Sequence, residues 1–322
     1  MKELRHATID WAGKQGYGVA IVDPAVVDAA VAENAARHRR GEIADALFQT
    51  YLSSHPDSLR AAKPWVSAVL VFSMPSPAQQ VTFRTKGRAF KATIPPTYAD
   101  DAPPKAGLAE RLAAPSGPLQ GWRVEPVRIP LKNVATRTGL VTYGRNNVTY
   151  SGKLGSYHRL VAVATDADLG GAAQAGQVAL SVEPARTLAP ECEGCGVCLA
   201  VCPTGAINED RFVVHAERCL TFHNEKTDPW EPWLKPAFHN CLVGCMVCQD
   251  GCPRNAGALS FLESPAEFSE EETECLLASA GRGIPAGDPV WNRVVAKIQQ
   301  IGLGGYESVL GRNLAALLQA GK

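Results

Sequence analysis

At 322 residues the chain has room for one large domain or two ordinary ones. Its 46% hydrophobic and 20% charged residues suit a globular protein with a sizeable core, and 32 basic against 32 acidic side chains leave no net charge to recruit nucleic acid or an anionic membrane. No apolar run reaches the ~18 residues that span a bilayer, and Met1-Lys2-Glu3-Leu4-Arg5-His6 lacks the apolar stretch of an export signal, so no membrane association is expected.

Residues 2–15 read as a helix ending near Gly16, and 18–22 as a short buried strand. Asp23 and Pro24 supply an N-cap and a first-turn proline for an Ala-rich helix that runs to Arg40 and stops at Gly41. A second helix is expected over 42–54 and a strand over 66–72, closed by Pro75 and Pro77. The stretch 81–106 reads as irregular; its Arg84, Lys86, Arg88 and Lys91 form a solvated face or a contact for phosphate and RNA. Then come a helix over 107–114, a strand over 122–129, a helix over 132–138 with Gly139 at its C′ position, and strands over 148–150 and 157–165. A small-residue linker (170–177) and a strand (178–182) precede the cysteines. Three blocks result: 1–185, 186–262, and a tail, 263–322, with an acidic opening and amphipathic helices near 290–300 and 305–320.

Eight of the ten cysteines fall into two runs, Cys192-x2-Cys195-x2-Cys198-x3-Cys202-Pro203 and Cys241-x3-Cys245-x2-Cys248-x3-Cys252-Pro253. The first has the spacing of bacterial two-cluster ferredoxins, in which three cysteines of a run hold one cubane and the fourth crosses to the other. Gly194 and Gly196 let the backbone approach a cluster closely. By the crossover rule one 4Fe–4S cluster takes Cys192, Cys195, Cys198 and Cys252. The other takes Cys202, Cys245, Cys248 and either Cys219 or Cys241. Zinc is the alternative, but zinc pairs are usually separated and not followed by proline in this way. Free thiols and clusters suit a reducing cytoplasm. Cys275 lies outside both runs and reads as an inert thiol.

The block Lys132-Asn133-Val134-Ala135-Thr136-Arg137-Thr138-Gly139-Leu140, continuing through Tyr143-Gly144-Arg145-Asn146-Asn147 to Gly155-Ser156-Tyr157, resembles the K-x-x-A-x-R-A-G-L-G-W-I-G-K-N … G-S-W/Y segment of epoxyqueuosine reductases. The cysteine region is similar as well, and in that family the cysteine of an Arg-Cys pair, here Arg218-Cys219, supplies the eighth ligand. The resemblance implies an α+β architecture: a nitroreductase-like domain holding base-off cobalamin, a ferredoxin-like module with two 4Fe–4S clusters, and here a short helical tail. It implies a reductase that takes electrons from a low-potential donor of ferredoxin or flavodoxin type, passes them through the clusters to the corrinoid, and reduces a small molecule or modified nucleoside.

Counting back from Lys132, the family's general acid falls on Glu125, with Tyr143 as a second proton donor. Arg145, Asn146, Asn147, Ser156, Tyr157 and His158 are the corrinoid-contact candidates. His223 and His239 flank cysteines, and Trp230 and Trp233 are expected to pack over the loop between clusters. Three features depart from the family: an expected D-Y-H segment is missing near Tyr98-Ala99-Asp100-Asp101, Thr142, Tyr143 and Arg145 replace Trp, Ile and Lys, and only about 60 residues follow the cysteines where long members carry a transfer-RNA-binding repeat region. Two alternatives therefore stand beside the cobalamin-dependent reductase: an electron-transfer protein without corrinoid, and a true epoxyqueuosine reductase recruiting transfer RNA through 84–91.

Overall fold

The computed structural model describes residues 2–98, 107–170, 188–258, 261–280 and 287–321; the expected strand at 178–182 lies outside them. In chain order the elements are α1 (Lys2–Lys14), β1 (Gly18–Val22), α2 (Pro24–Arg39), β2 (Ala68–Pro75), β3 (Ala78–Thr85), β4 (Arg88–Ile94), α3 (Leu108–Ala113), β5 (Val124–Pro126), α4 (Leu131–Arg137), β6 (Thr142–Tyr143), β7 (Thr149–Tyr150) and β8 (His158–Thr165). They continue as α5 (Val197–Val201), α6 (Leu220–Asn224), α7 (Val247–Asp250), β9 (Phe261–Phe268), α8 (Glu270–Ala278), α9 (Pro289–Gln300) and α10 (Glu307–Ala320). Two compact units result, neither contiguous in sequence: Met1–Pro75, Ala102–Cys195 and Glu209–Val213 form the first, and Ser76–Asp101, Gly196–Asn208 and Val214–Lys322 the second.

The first unit is built on an antiparallel sheet of order β1-β2-β8-β5. Side chains alternate along β2, so Leu70, Phe72 and Met74 enter one core with Ala12 of α1 and Leu108 and Leu112 of α3. Val69 and Val71 enter another with Val26, Val27 and Ala30 of α2 and Val134 and Ala135 of α4. The start of α2 is as the sequence predicts: the Asp23 carboxylate accepts from the Ala25 N–H, and Pro24 occupies the first turn. The helix expected over 42–54 is shorter, 45–52, and changes type: an α-helical turn, Asp45–Leu47, runs into a π-helix, Phe48–Leu52. There Thr50 and Ser53 hydroxyls donate to carbonyls four residues back, and Glu42 is drawn to Arg37 and Arg40. The strand expected over 122–129 shrinks to β5, Val124–Pro126, beyond which the Val127 N–H still donates to the Ala162 carbonyl of β8 at 3.2 Å.

In the second unit a sheet of order β4-β3-β9 carries α8, α9 and α10 over its core. The stretch read as irregular is a β3–β4 hairpin that turns at Lys86 and Gly87, with φ of 49° and 70° as a tight I′-type turn requires. Its inward face is Val81, Phe83, Ala92 and Ile94. The opening of the tail is not wholly helical either: β9 adds in parallel to β3, Ala78 opposite Phe261. A capping box of Ser269 and Glu272 then starts α8. Leu242 and Val243, from the second cysteine run, are fully buried in this core, and the Leu242 N–H donates to the Thr93 carbonyl at 2.8 Å. The loop that carries the second cysteine run is thereby fastened to the core of its unit.

Candidate functional site

The first cysteine run has the backbone that close approach to a ligand demands. Gly194 and Gly196 both lie in the left-handed region, with φ of 71° and 65°, and Cys195 is exposed. From Gly196 onward the chain turns into α5, which packs against α7 from the second run. They meet at Gly251, where a Cβ would stand 3.4 Å from Val197.

Cys202, Cys219 and Cys245 are close enough to act on one another's charge: Cys202 acts on Cys219, and both act on Cys245. Burial raises the Cys202 thiol, but donors from Thr204, Ala206 and Ile207 outweigh it and hold the thiol below its ordinary value. A sulfur ringed by N–H groups is the environment of an anionic ligand. Burial also pushes up Cys219, and Cys245 to about 11, the latter against donors from Asn240 and Val247. Three cysteine sulfurs gathered this way, one with its thiol held below the ordinary value, fit the ligand set of a 4Fe–4S group.

Cys241 sits differently. It is 1% exposed, its neighbours in the electrostatic sense are Cys245, Asp250 and Cys248, and burial pushes its thiol far up. Its S–H donates to Asn240 Oδ1 at 3.1 Å. Between the two candidates for the eighth ligand, Cys219 is the one that shares its surroundings with Cys202. Sequence reasoning missed the polar frame behind these loops. Asn224 and Gly244 exchange two hydrogen bonds, of 2.6 and 2.8 Å, and Asn313 of α10 donates to the carbonyls of Asn224 and Leu242. Gly244 is required there, because with φ of 69° an added Cβ would stand 2.5 Å from the Tyr98 ring. Nothing in the spacing of these asparagines signals their meeting. His223 bonds to the Glu217 carbonyl, while buried His239 stacks on Trp230, which carries the Arg312 guanidinium. Burial, with Arg312 adding to it, lowers His239 to about 4 and keeps it neutral. Trp233 meets the His223 ring edge-on at 5.3 Å and is 38% exposed.

The candidates of the first unit are placed as follows. Glu125, on β5, is held by Arg123 at 2.6 Å and Lys63 at 3.4 Å. The Arg123 hydrogen bond is the main cause of a pKa below the ordinary carboxylate range, so Glu125 is ionised at neutral pH. Tyr143 packs edge-on against Phe212, and burial together with the Glu33 charge raises its phenol, which keeps its proton. Near it lies a buried network that the sequence alone did not reveal. Glu33 binds Arg37 at 2.9 Å and Arg137 at 2.6 Å, and Asn133 donates to Glu33. The i, i+4 spacing of Glu33 and Arg37 was the available signal.

His158 has Ser73 Oγ 3.0 Å from Nδ1 and the Thr149 carbonyl 3.0 Å from Nε2, so both ring nitrogens are engaged. Asn146 donates to the Tyr150 hydroxyl and accepts from the Val148 N–H. Ser156 and Tyr157 are buried, while Arg145 and Asn147 are half-buried, Asn147 with φ of 59°. Of these six residues four are buried, and Arg145 and Asn147 are the two that keep part of their surface exposed.

Half of the basic run is paired with carboxylates. Arg84 pairs with Glu267, Lys91 with Glu263 at 2.6 Å, and the Gly87 N–H donates to Glu270. The acidic opening of the tail, including β9, thus lies against the basic hairpin and pairs with two of the four basic residues expected to meet RNA.

The fold and the cysteine set define an iron–sulfur protein on a mixed α/β scaffold. Residues 191–255 match the 4Fe–4S double cluster binding domain. The chain is 33% identical over 175 residues to an epoxyqueuosine reductase of Synechococcus sp. (strain RCC307), covering 53% of this chain and 49% of that protein. It is 33% identical over 153 residues to one of Pseudomonas aeruginosa, covering 46% and 38%. The chain therefore spans about half, or less, of the length of these curated relatives. Two solved epoxyqueuosine reductase structures share the fold at 18% identity and cover 99% of this chain. One, from Bacillus subtilis with its catalytic loop swung out, has a TM-score of 0.62 and 82% of its chain covered. The other, with an epoxyqueuosine-modified tRNA-Tyr stem loop, has a TM-score of 0.61 and 81% covered. Together these show a chain similar to epoxyqueuosine reductases over about half its length, with the fold of solved members and a double 4Fe–4S cluster segment.

Proposed function

We propose that the chain is an iron–sulfur reductase of epoxyqueuosine reductase type, acting on a modified nucleoside in transfer RNA. The observation that carries the reading is the gathering of Cys202, Cys219 and Cys245 within the segment that matches the double cluster domain. The substrate comes from what its relatives are named for and from the stem loop bound by a neighbour of the same fold. Cys192, Cys195, Cys198 and Cys252 would hold one cluster, and Cys202, Cys219, Cys245 and Cys248 the other. The two clusters would supply electrons singly, drawn from a ferredoxin- or flavodoxin-type donor in a reducing cytoplasm.

Of the two proton-donor candidates, Tyr143 carries a proton at neutral pH and Glu125 does not. Tyr143 therefore serves as the hydrogen-bond donor to a developing anion, and Glu125 as the partner that orders Arg123 and Lys63. No step is assigned to cobalamin, because four of the six residues expected to hold it are buried, and His158 and Asn146 have their polar atoms engaged within the protein. That same observation favours the second reading, an electron carrier without corrinoid.

One experiment separates the readings. Anaerobically reconstituted protein is given epoxyqueuosine-containing transfer RNA and a low-potential reductant, with and without cobalamin. Formation of queuosine supports the reductase, and dependence on added cobalamin would reinstate the corrinoid. Cluster reduction with no turnover under either condition would leave the electron carrier.

A further inference from the structure

Asn240 stands immediately before the second cysteine run, and its surroundings fix which way its amide points. The Met246 N–H, which can only donate, lies 2.8 Å from Oδ1, and the Cys241 thiol donates to the same oxygen at 3.1 Å. The NH2 group is left with two acceptors, the Phe238 carbonyl at 3.2 Å and Cys245 Sγ at 3.1 Å. Both faces of the amide are used, and a flipped amide would set NH2 against the Met246 N–H.

The backbone around it is held from three sides. Leu242 and Val243 are buried in the core, Asn224 and Gly244 exchange hydrogen bonds, and Asn313 ties Asn224 to Leu242. A side chain so mounted keeps its N–H aimed at one sulfur.

We propose that Asn240 tunes the second iron–sulfur cluster: its Nδ2–H points at the sulfur of Cys245 and raises that cluster's reduction potential. The inference rests on the reading that Cys245 is a cluster ligand. A reduced cluster carries one more negative charge, much of it on sulfur, so a donor to that sulfur favours the reduced state. The first run has Glu191 where the second has Asn240, so the effect belongs to one cluster.

The test is an EPR-monitored redox titration of the anaerobically reconstituted full chain, alongside Asn240→Leu and Asn240→Asp. The leucine removes the donor. The aspartate keeps an oxygen for Met246 and Cys241 but sets a negative charge beside the sulfur. The expected result is about eight irons per chain throughout, with one midpoint potential moved to a more negative value in both variants, further in Asn240→Asp, and the other unmoved. The proposal is overturned if both potentials stay at wild-type values in variants holding about eight irons, or if both move together. Should Asn240→Leu lose iron, Asn240→Asp decides by the same readings. Iron loss from both would also overturn it, since Asn240 would then merely hold the loop. Wild-type protein with little or no iron would instead remove the cluster reading beneath it.

Discussion

The cysteine loops of the second unit and the 143–158 loop of the first both carry family-like motifs, yet they treat their polar atoms in opposite ways. Around Cys202, Cys219 and Cys245, sulfurs are gathered together and N–H groups are aimed at them from Thr204, Ala206, Ile207 and Asn240. Such an arrangement is costly until a cation or cluster joins it. Around His158 and Asn146, donors and acceptors are matched inside the protein. The contrast teaches that a motif marks a ligand site only where its chemistry is left unmatched by the fold.

The largest expected effect tests whether the matched region is purely structural. Glu33 is 2% exposed and holds Arg37 and Arg137, both buried. Replacing it by alanine takes a shared carboxylate from two buried guanidiniums and leaves Arg37 with Glu42 as its carboxylate, and denaturant titration should show a loss of about 3–5 kcal/mol. In the other region, Leu242→Ala empties a fully buried site beneath the cysteine loop. A loss of about 2–5 kcal/mol is expected there, and iron retention should fall as the loop loosens.

A sharper probe is Glu125→Gln. Removing a general acid costs ~10²–10⁴ in rate, whereas turnover of epoxyqueuosine-containing transfer RNA by Glu125→Gln should fall less than about tenfold. A loss of the larger size would return Glu125 to catalysis and break the contrast.

The smallest effect concerns pH. Burial, with Lys132 adding to it, lowers the His158 pKa below its ordinary value of 6.5, although the Thr149 carbonyl opposes this. The unfolded chain therefore binds the proton more readily than the folded one. The stability this residue contributes is whole above about pH 6.5 and drains as pH falls toward the folded pKa. His158→Gln should lack that part of the slope in denaturation curves between pH 7 and 5. Identical slopes would mean that the ring charges without penalty.

Much of the scaffold was legible because it is written in local chemistry. Asp23-Pro24 starts α2, the 18–22 strand is a plain apolar run, and Gly139, with φ of 73°, follows α4. The hairpin was not legible, because Gln79, Gln80, Arg84 and Lys91 surround the inward Val81, Phe83, Ala92 and Ile94 and disguise the alternation. Nor was β9, whose glutamates hide the alternation; it pairs with β3 and sends Ala266 and Phe268 into the core, while Glu263 and Glu267 meet Lys91 and Arg84. In the site, cysteine spacing identified the ligand types but left Cys219 and Cys241 open. Cys219 lies beside Cys202, and Cys241 beside Cys245 and Cys248 and bonded to Asn240; long-range contacts of that kind leave no periodicity in a sequence.

The most direct measurement is iron per chain in anaerobic preparations of wild type, Cys219→Ala and Cys241→Ala. With Cys219 ligating the second cluster and Cys241 a buried thiol bonded to Asn240, the values should be about eight, about four and about eight. Loss of iron from Cys241→Ala with Cys219→Ala unaffected, or zinc in place of iron in all three, would contradict the account.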